Sequence, residues 1–313
     1  MDLDLLTRLV ALSPAGDERV NALVRVTCAR ALRLVPLPAE AGVFLLPSGG
    51  LALESEAESA LVAFAEQFAL DVTGIGDELR GRLVGAVGDG ALRSVVLMYV
   101  ADFAPRVLAG LEALKVGVGV GGIGSGAVGG VGVGFGGVGV GFGGVGVGGV
   151  GVGGVGWDRS SDPADVVFNW FLPAVARLDA LDPLTSEVVR LRGAGQHQCR
   201  LCKSLRESAA LDAGGSEDLY RDIERFEDSD LLSARHKAAL RYVDALIWSP
   251  GSIPPDVAAS ISEHFSHEEA VEITLDVMRN GSNKIAVAFA ADAPHVEQGT
   301  EIYRILEVIH RRA

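Results

Sequence analysis

Cys199 and Cys202 are two of only three cysteines in 313 residues, and eleven residues separate Cys199 from Glu187 upstream. A Cys-x-x-Cys pair holds two sulfurs close enough to close a small disulfide and reopen it, so its first chemical meaning is dithiol redox. The thiolate is the reactive form of such a pair, and a carboxylate upstream can accept the proton that the thiol gives up; the other reading of Glu187 is a buried, hydrogen-bonded partner of Arg190 or Arg192. A structural zinc site is the competing reading of a CxxC. Tetrahedral zinc needs four ligands, and the sequence offers neither a second CxxC nor a His-x3-His to complete the set. His264 and His267, with Glu263, Glu268 and Glu269 beside them, read as a solvated interhelical turn.

The elements that must position this pair read as helices. Asp182 followed by Pro183 is an N-cap with proline in the first turn, and the helix it opens carries Glu187 and should end near Gly193 to Gly195. Gln196, His197 and Gln198 then form a turn, and Cys199 falls in the first turn of the next helix, where free N–H groups and the dipole favour a thiolate. On a continuing helix Arg206, four residues past Cys202, shares its face. Elsewhere apolar residues recur every three or four positions, as in Ala239, Leu240, Val243, Leu246 and Ile247, which marks amphipathic helix. Ser266 to Glu269 reads as a capping box, and Gly281 marks a kink or a place of tight packing. Ile302, Leu306 and Ile309 fit one face of a C-terminal docking helix closed by Arg311 and Arg312. Asn280, Asn283 and Lys284 read as caps or cross-links between packed helices, and Trp157, Trp170 and Trp248 as core or interface residues.

The chain is long enough for two domains. Between them lies a Gly/Val-rich, uncharged tract at 116–157, in which Val-Gly-Val-Gly-Phe-Gly-Gly starts at Val131 and again at Val138. Glycine at nearly every second position argues against a membrane helix and for a flexible low-complexity linker. On either side the chain repeats itself. Arg8 to Pro14 matches Arg177 to Pro183, Glu18 falls opposite Glu187, and Ala91 to Leu97 resembles Ala270 to Leu275. In that register Arg30 and Arg33 stand where the second copy has its cysteines. The expected architecture is therefore all-α, with two tandem helical domains at 1–115 and 158–313 joined by the linker, and the dithiol in the second alone. A net charge of −14 and a pI near 4.9 exclude a nucleic-acid partner, whose binding rests on basic patches. The acidic N-terminus lacks the basic start of a secretory signal, so a reducing, cytoplasmic location is expected.

The stretch Glu187 to Arg192, the run Cys199-Arg200-Leu201-Cys202-Lys203-Ser204-Leu205-Arg206, Ala239 to Leu246 and Phe265 to Ala288 together resemble the carboxymuconolactone decarboxylase and alkylhydroperoxidase D superfamily. The resemblance covers most of the second half and, more weakly, the first. It implies all-helical subunits assembled as trimers or larger homo-oligomers, with no cofactor and no metal. It implies a thiol-dependent hydroperoxide reductase with Cys202 as peroxidatic thiol, Cys199 as resolving thiol and Glu187 as base. The substrate would be a hydroperoxide and the reductant a lipoyl- or thioredoxin-type dithiol protein. Arg206 stands where the redox branch has a histidine. A guanidinium can stabilise a neighbouring thiolate but cannot relay a proton, and His197 is the titrating group nearest in sequence. A redox-sensing or structural oligomerisation module, with the dithiol as sensor or relic, is the alternative outside enzymology. Decarboxylation of a lactone acid, the chemistry of the branch without paired cysteines, is disfavoured by the pair.

Overall fold

The computed structural model describes residues 4–43, 46, 48–116 and 156–304. Its described residues are mostly helical, in agreement with the all-α expectation. The Gly/Val repeats at Val131 and Val138 lie outside the described residues.

The first half contains α1 (Asp4–Ala11), α2 (Glu18–Leu32), α3 (Glu56–Leu70), α4 (Asp77–Val87) and α5 (Ala91–Ala113). In the second half α6 (Pro163–Asp165) passes through a π-helical segment (Val166–Phe171) into α7 (Leu172–Val175). There follow α8 (Pro183–Gln196), α9 (Arg200–Ser204), β1 (Leu205–Glu207), α10 (Ser208–Asp212), α11 (Glu217–Asp222), α12 (Ala234–Trp248), α13 (Pro255–His264), α14 (His267–Gly281), α15 (Asn283–Ala288) and β2 (Glu301–Tyr303). Side-chain caps set several of these boundaries. Ser55 accepts from the Glu58 N–H, Asp182 from Thr185 and Ser233 from His236, and Ser266 with Glu269 forms the expected capping box. Each cap satisfies a backbone donor that the first helical turn leaves free.

In the first half α2 packs against α3 and α5, and in the second α8 packs against α12 and α14. The two groups meet through α5, which also touches α12, α14 and α15. Phe64, Phe68 and Phe103 from one half and Val243, Met278 and Ile285 from the other belong to one apolar core. Two helical glycines allow this approach. A Cβ on Gly281 would fall 2.2 Å from the Phe103 ring, and one on Gly110 would fall 2.6 Å from the Tyr242 hydroxyl. The expectation for Gly281 thus resolves in favour of close packing.

Polar ties cross the same boundary. The Tyr99 hydroxyl donates to the Met278 carbonyl at 2.8 Å, and Lys284 Nζ lies 2.7 Å from Asp102 Oδ2. Arg106 grips the other Asp102 oxygen at 2.8 Å and donates to the Leu246 carbonyl at 3.0 Å. The stretch Asp77–Ala113 is long and apolar enough to cross a membrane by composition alone, but half of its most apolar window is buried within the protein. Asp102 and Arg106, both buried on α5, fit a core helix whose apolar face is covered by other helices.

One expectation is corrected and another, core or interface for Trp248, is narrowed. Ile302 is not on a docking helix, because Glu301–Tyr303 is extended and pairs in parallel with Leu205–Glu207, with Ile302 opposite Arg206. Leu306, Ile309, Arg311 and Arg312 lie outside the described residues. Trp248 is not a core residue. It is 53% exposed and donates its indole N–H to Gln196 at 2.9 Å. Trp157 and Trp170 are half-buried, with the guanidinium of Arg25 over the first ring and that of Arg8 over the second.

Candidate functional site

Helix α8 begins at Pro183 behind its Asp182 cap and ends at Gln196, with His197 closing it. Gln198 takes a positive φ of 52°, which reverses the chain and delivers Cys199 as the N-cap of α9. The Cys199 sulfur accepts the Cys202 N–H at 3.2 Å, so the two thiols belong to one tight turn. Cys199 is fully buried and Cys202 partly exposed. Both thiols are free.

The two sulfurs are electrostatically unequal. A hydrogen bond from the Cys199 thiol, foremost, holds the Cys202 thiol below its usual range, against the cost of burial; the Arg190 guanidinium and the Asn283 amide act in the same direction. Cys199 is pushed up by that same bond to Cys202, by burial and by the negative charge on its partner. A partly exposed sulfur that favours the thiolate beside a buried one that keeps its proton is the division a nucleophile and a resolving thiol require.

Arg190 organises this turn. Its Nε and Nη2 grip the two Glu187 oxygens at 2.6 and 2.7 Å, its Nη1 donates to the Cys202 carbonyl at 2.8 Å, and Nη2 also donates to the Leu205 carbonyl at 2.7 Å. The planar fork of a guanidinium suits this bidentate grip. Glu187 is buried, and besides Arg190 it accepts the Glu207 N–H at 3.2 Å. Its geometry holds Arg190 against α9 and β1. The ring of Tyr303, brought in by β2, lies 5.7 Å from the Arg190 guanidinium carbon.

Arg206 departs from its expected place. The helix that would set it one turn from Cys202 ends at Ser204, and Arg206 lies on extended β1. Its guanidinium is committed to Glu217 at 2.8 and 2.9 Å and to the carbonyls of Lys203 and Leu205, over the Tyr220 ring. The cation that acts on the Cys202 sulfur is Arg190. At five residues, α9 is also too short for the dipole argument made from sequence. His197 is buried, and its Nδ1 lies 2.8 Å from Asn283 Oδ1. Burial and then the charge of Lys284, with a lesser push from Arg106, hold its imidazole well below the usual histidine range and so neutral.

The pairing of Glu187 with Arg190 is the one the sequence offered as its alternative, but sequence reasoning did not bring three neighbours to the dithiol. Arg190 carried a signal, since i and i+3 residues share a helix face and Glu187 stands at that spacing. Asn283 reaches the site from α15, and Asp292 caps its edge, accepting the Arg200 N–H and side chain at 2.9 Å; neither had a local signal. A cavity of about 330 Å³ opens beside the turn, lined by Leu191, Lys203, Arg206, Glu217, Tyr220 and Ile223 among others. Among the described residues, no group of three His, Cys, Asp or Glu side chains is arranged to hold a metal ion.

The chain is 53% identical over 302 residues to two proteins of Mycobacterium tuberculosis, the uncharacterized protein MT2376 of strain CDC 1551 and the uncharacterized protein Rv2313c of strain H37Rv. Each alignment covers 96% of this chain and 94% of the relative. The chain belongs to their family. A more remote relative, the uncharacterized protein YdfG of Bacillus subtilis, is 23% identical over 111 residues, which is 35% of this chain and 76% of that protein. No family model matches the sequence, and no solved structure matches the fold. The family is thus shown by relatives whose names carry no activity.

Proposed function

We propose that the chain is a thiol-dependent hydroperoxide reductase centred on Cys202 and Cys199. The Cys202 thiolate attacks the distal oxygen of a hydroperoxide, the O–O bond breaks, and the departing alkoxide takes a proton to leave as an alcohol. The sulfur has given two electrons and is now a sulfenic acid. Cys199 attacks it, loses its own proton and releases water, which leaves the disulfide. An external dithiol of lipoyl or thioredoxin type then exchanges with that disulfide and restores both thiols. A reducing cytoplasmic setting and a homo-oligomeric assembly go with this reading.

The observation that carries it is the inequality of the pair. The partly exposed sulfur is the one held below the usual thiol range, and the buried sulfur is the one pushed above it. The likeness of the Glu187 to Arg206 stretch to the alkylhydroperoxidase D superfamily supports the same assignment. The cavity lined by Lys203, next in sequence to Cys202, would receive the body of an organic hydroperoxide.

The test is consumption of an organic hydroperoxide with dihydrolipoamide as donor, comparing the native chain with Cys202→Ser and Cys199→Ser. Saturable turnover is expected, abolished by the first substitution, while the second allows one oxidation without recycling. Turnover no faster than that of any exposed thiol would rule out the enzyme and leave a redox-sensing or structural module.

A further inference from the structure

His197 stands two residues before Cys199, and the backbone N–H groups of both donate to the end of α8, to the Gly193 and Ala194 carbonyls, each at 3.0 Å. The reversal that delivers the dithiol is therefore placed by the residues that close α8. The His197 side chain is buried, and two pairs of adjacent residues enclose it. On α5, in the first half, Phe103 meets the imidazole in a T-shaped contact with ring centroids 5.9 Å apart, and its neighbour Asp102 lies 2.7 Å from Lys284 Nζ. On α15, Asn283 Oδ1 lies 2.8 Å from His197 Nδ1, and its neighbour Lys284 completes the circuit back to α5.

We propose that the first half, which lacks the dithiol, is a clamp on the dithiol turn, with Phe103 and His197 as positioning residues that hold Cys199 where it can close a disulfide with Cys202. His197 is neither acid nor base in this role. The clamp rests on the peroxidase reading only for the use to which the disulfide is put.

A disulfide within one chain is favoured by the effective concentration of the second thiol at the first, and that concentration falls as the turn between them gains freedom. The Cys199 sulfur already lies over the α9 turn, 3.2 Å from the Cys202 nitrogen. At five residues, α9 is too short to keep this arrangement by its own helical bonds. Anchors outside it do so. Asp292 accepts the Arg200 N–H on its carboxylate at 2.9 Å and the Leu201 N–H on its carbonyl at 2.8 Å, and Arg190 donates to the Cys202 carbonyl at 2.8 Å. His197 holds the entry to the turn, and it is through this anchor that the first half reaches the dithiol. Phe103 is itself fixed, buried against α14 where the missing Cβ of Gly281 leaves room for its ring. In an interior packed this closely, removing the ring lets the groups that rest on it shift.

The experiment is the equilibrium of the full chain with mixtures of reduced and oxidised glutathione at neutral pH, with the fraction of Cys199–Cys202 disulfide read by alkylation and mass spectrometry. One glutathione disulfide takes up the two electrons and two protons of the dithiol and leaves as two glutathione thiols. His197→Leu removes both the T-shaped contact and the bond to Asn283. It should lower the equilibrium constant for the disulfide about tenfold, which is about 30 mV toward easier reduction for a two-electron couple. Phe103→Leu keeps apolar bulk without the ring and should move the constant the same way by less. His197→Gln, whose amide can pair with Asn283, should recover most of the loss. Ile261→Ala serves as the control, a fully buried core position on α13, which packs on α12 and α14, and it should leave the constant unchanged.

A native chain that forms no Cys199–Cys202 disulfide against oxidised glutathione overturns the proposal. So does a constant that stays the same or rises in folded His197→Leu and Phe103→Leu, and so does an equal fall in Ile261→Ala, which would mark a general loss of stability. Circular dichroism and urea unfolding of each reduced variant show that folded chains are compared, and Phe103→Leu carries the test if His197→Leu does not fold. Because the glutathione equilibrium needs no peroxide, a lowered constant in a chain without peroxide turnover would uphold the clamp and sink the peroxidase, and turnover with unchanged constants would do the reverse.

Discussion

Replacing Glu272 with glutamine should stabilise the protein above neutral pH and flatten its dependence on pH. Glu272 lies buried on α14 and accepts the N–H groups of Ala180 at 2.7 Å and Leu181 at 3.3 Å. Burial first, and then the Asp276 carboxyl one turn along, push it up to about 7, while those two N–H groups pull the other way. Its folded-state value thus lies above the unfolded value near 4.3. Stability from the proton-bound form is fully present below the unfolded value and is lost as pH rises through about 7. A shift of that size corresponds to about 3.5–4 kcal/mol; since Asp276 is raised by burial too and shares the repulsion, about 2 kcal/mol is the working figure for Glu272 alone. Glutamine keeps the carbonyl oxygen for both N–H donors and cannot ionise. Urea unfolding near pH 8 should therefore find Glu272→Gln more stable by about 2 kcal/mol, and the two proteins should converge as pH falls to about 4. A variant less stable than the native chain at pH 8, or one that follows the native pH slope, would show that burial of this carboxyl does not oppose folding.

Other substitutions test the joint between the halves and the grip on the dithiol. Asp102→Asn leaves Arg106 and Lys284 buried with no carboxylate between them. It should cost about 3–5 kcal/mol in urea unfolding, with part of the loss recovered at high pH as Lys284 deprotonates, whereas a cost under about 1 kcal/mol would show that the cluster is already relaxed by water. Gly281→Ala drives a methyl into the Phe103 ring and should lower stability by about 1–3 kcal/mol; Phe103→Leu in the same chain should recover part of it, and a purely additive double mutant would refute the contact. Arg190→Lys keeps the charge but cannot span Glu187 and the Cys202 and Leu205 carbonyls together. It should cost about 2 kcal/mol or more and raise the Cys202 alkylation midpoint, and an unchanged midpoint would remove Arg190 from the thiolate's field.

Helix α8 was legible almost residue by residue because its signals are local. Asp182-Pro183 opens it, the glycines at 193 and 195 announce its end, and Ser266 and Glu269 likewise give the start of α14 by a reciprocal bond within one turn. The failures share a cause of the opposite kind. Leu201 to Arg206 reads as helix, but Leu205–Glu207 finds its partner in Glu301–Tyr303, far along the chain. Such long-range pairing overrides local propensity and leaves no trace in a short window. The same holds for Asn283 and Asp292, which reach the dithiol from beyond α14. The two glutamates that the ungapped repeat sets opposite each other stand in different surroundings. Glu187 is buried in the Arg190 fork, whereas its counterpart Glu18 stands at the start of α2 and accepts the Gly16 N–H.

The three cysteines show why spacing could bring two thiols together but could not rank the sulfurs. Cys28 is as fully buried as Cys199, yet burial and the nearby Asp102 carboxylate only push its thiol up, with Lys284 and Arg106 offsetting them in part. It has no second thiol to donate to it and no opening to solvent, so nothing makes it reactive. Cys199 is also raised, but there the proton is held toward Cys202, and the cost to one sulfur is the benefit to the other. Cys202 gains from that bond, from Arg190 and from Asn283, and it alone is partly exposed. Sequence could place two thiols in one turn because that is a three-residue relation. Which of them is held lower depends foremost on the bond between the two thiols, then on an arginine one helix earlier and an amide about eighty residues later, and those last two are set in place only when α8, α9 and α15 pack together.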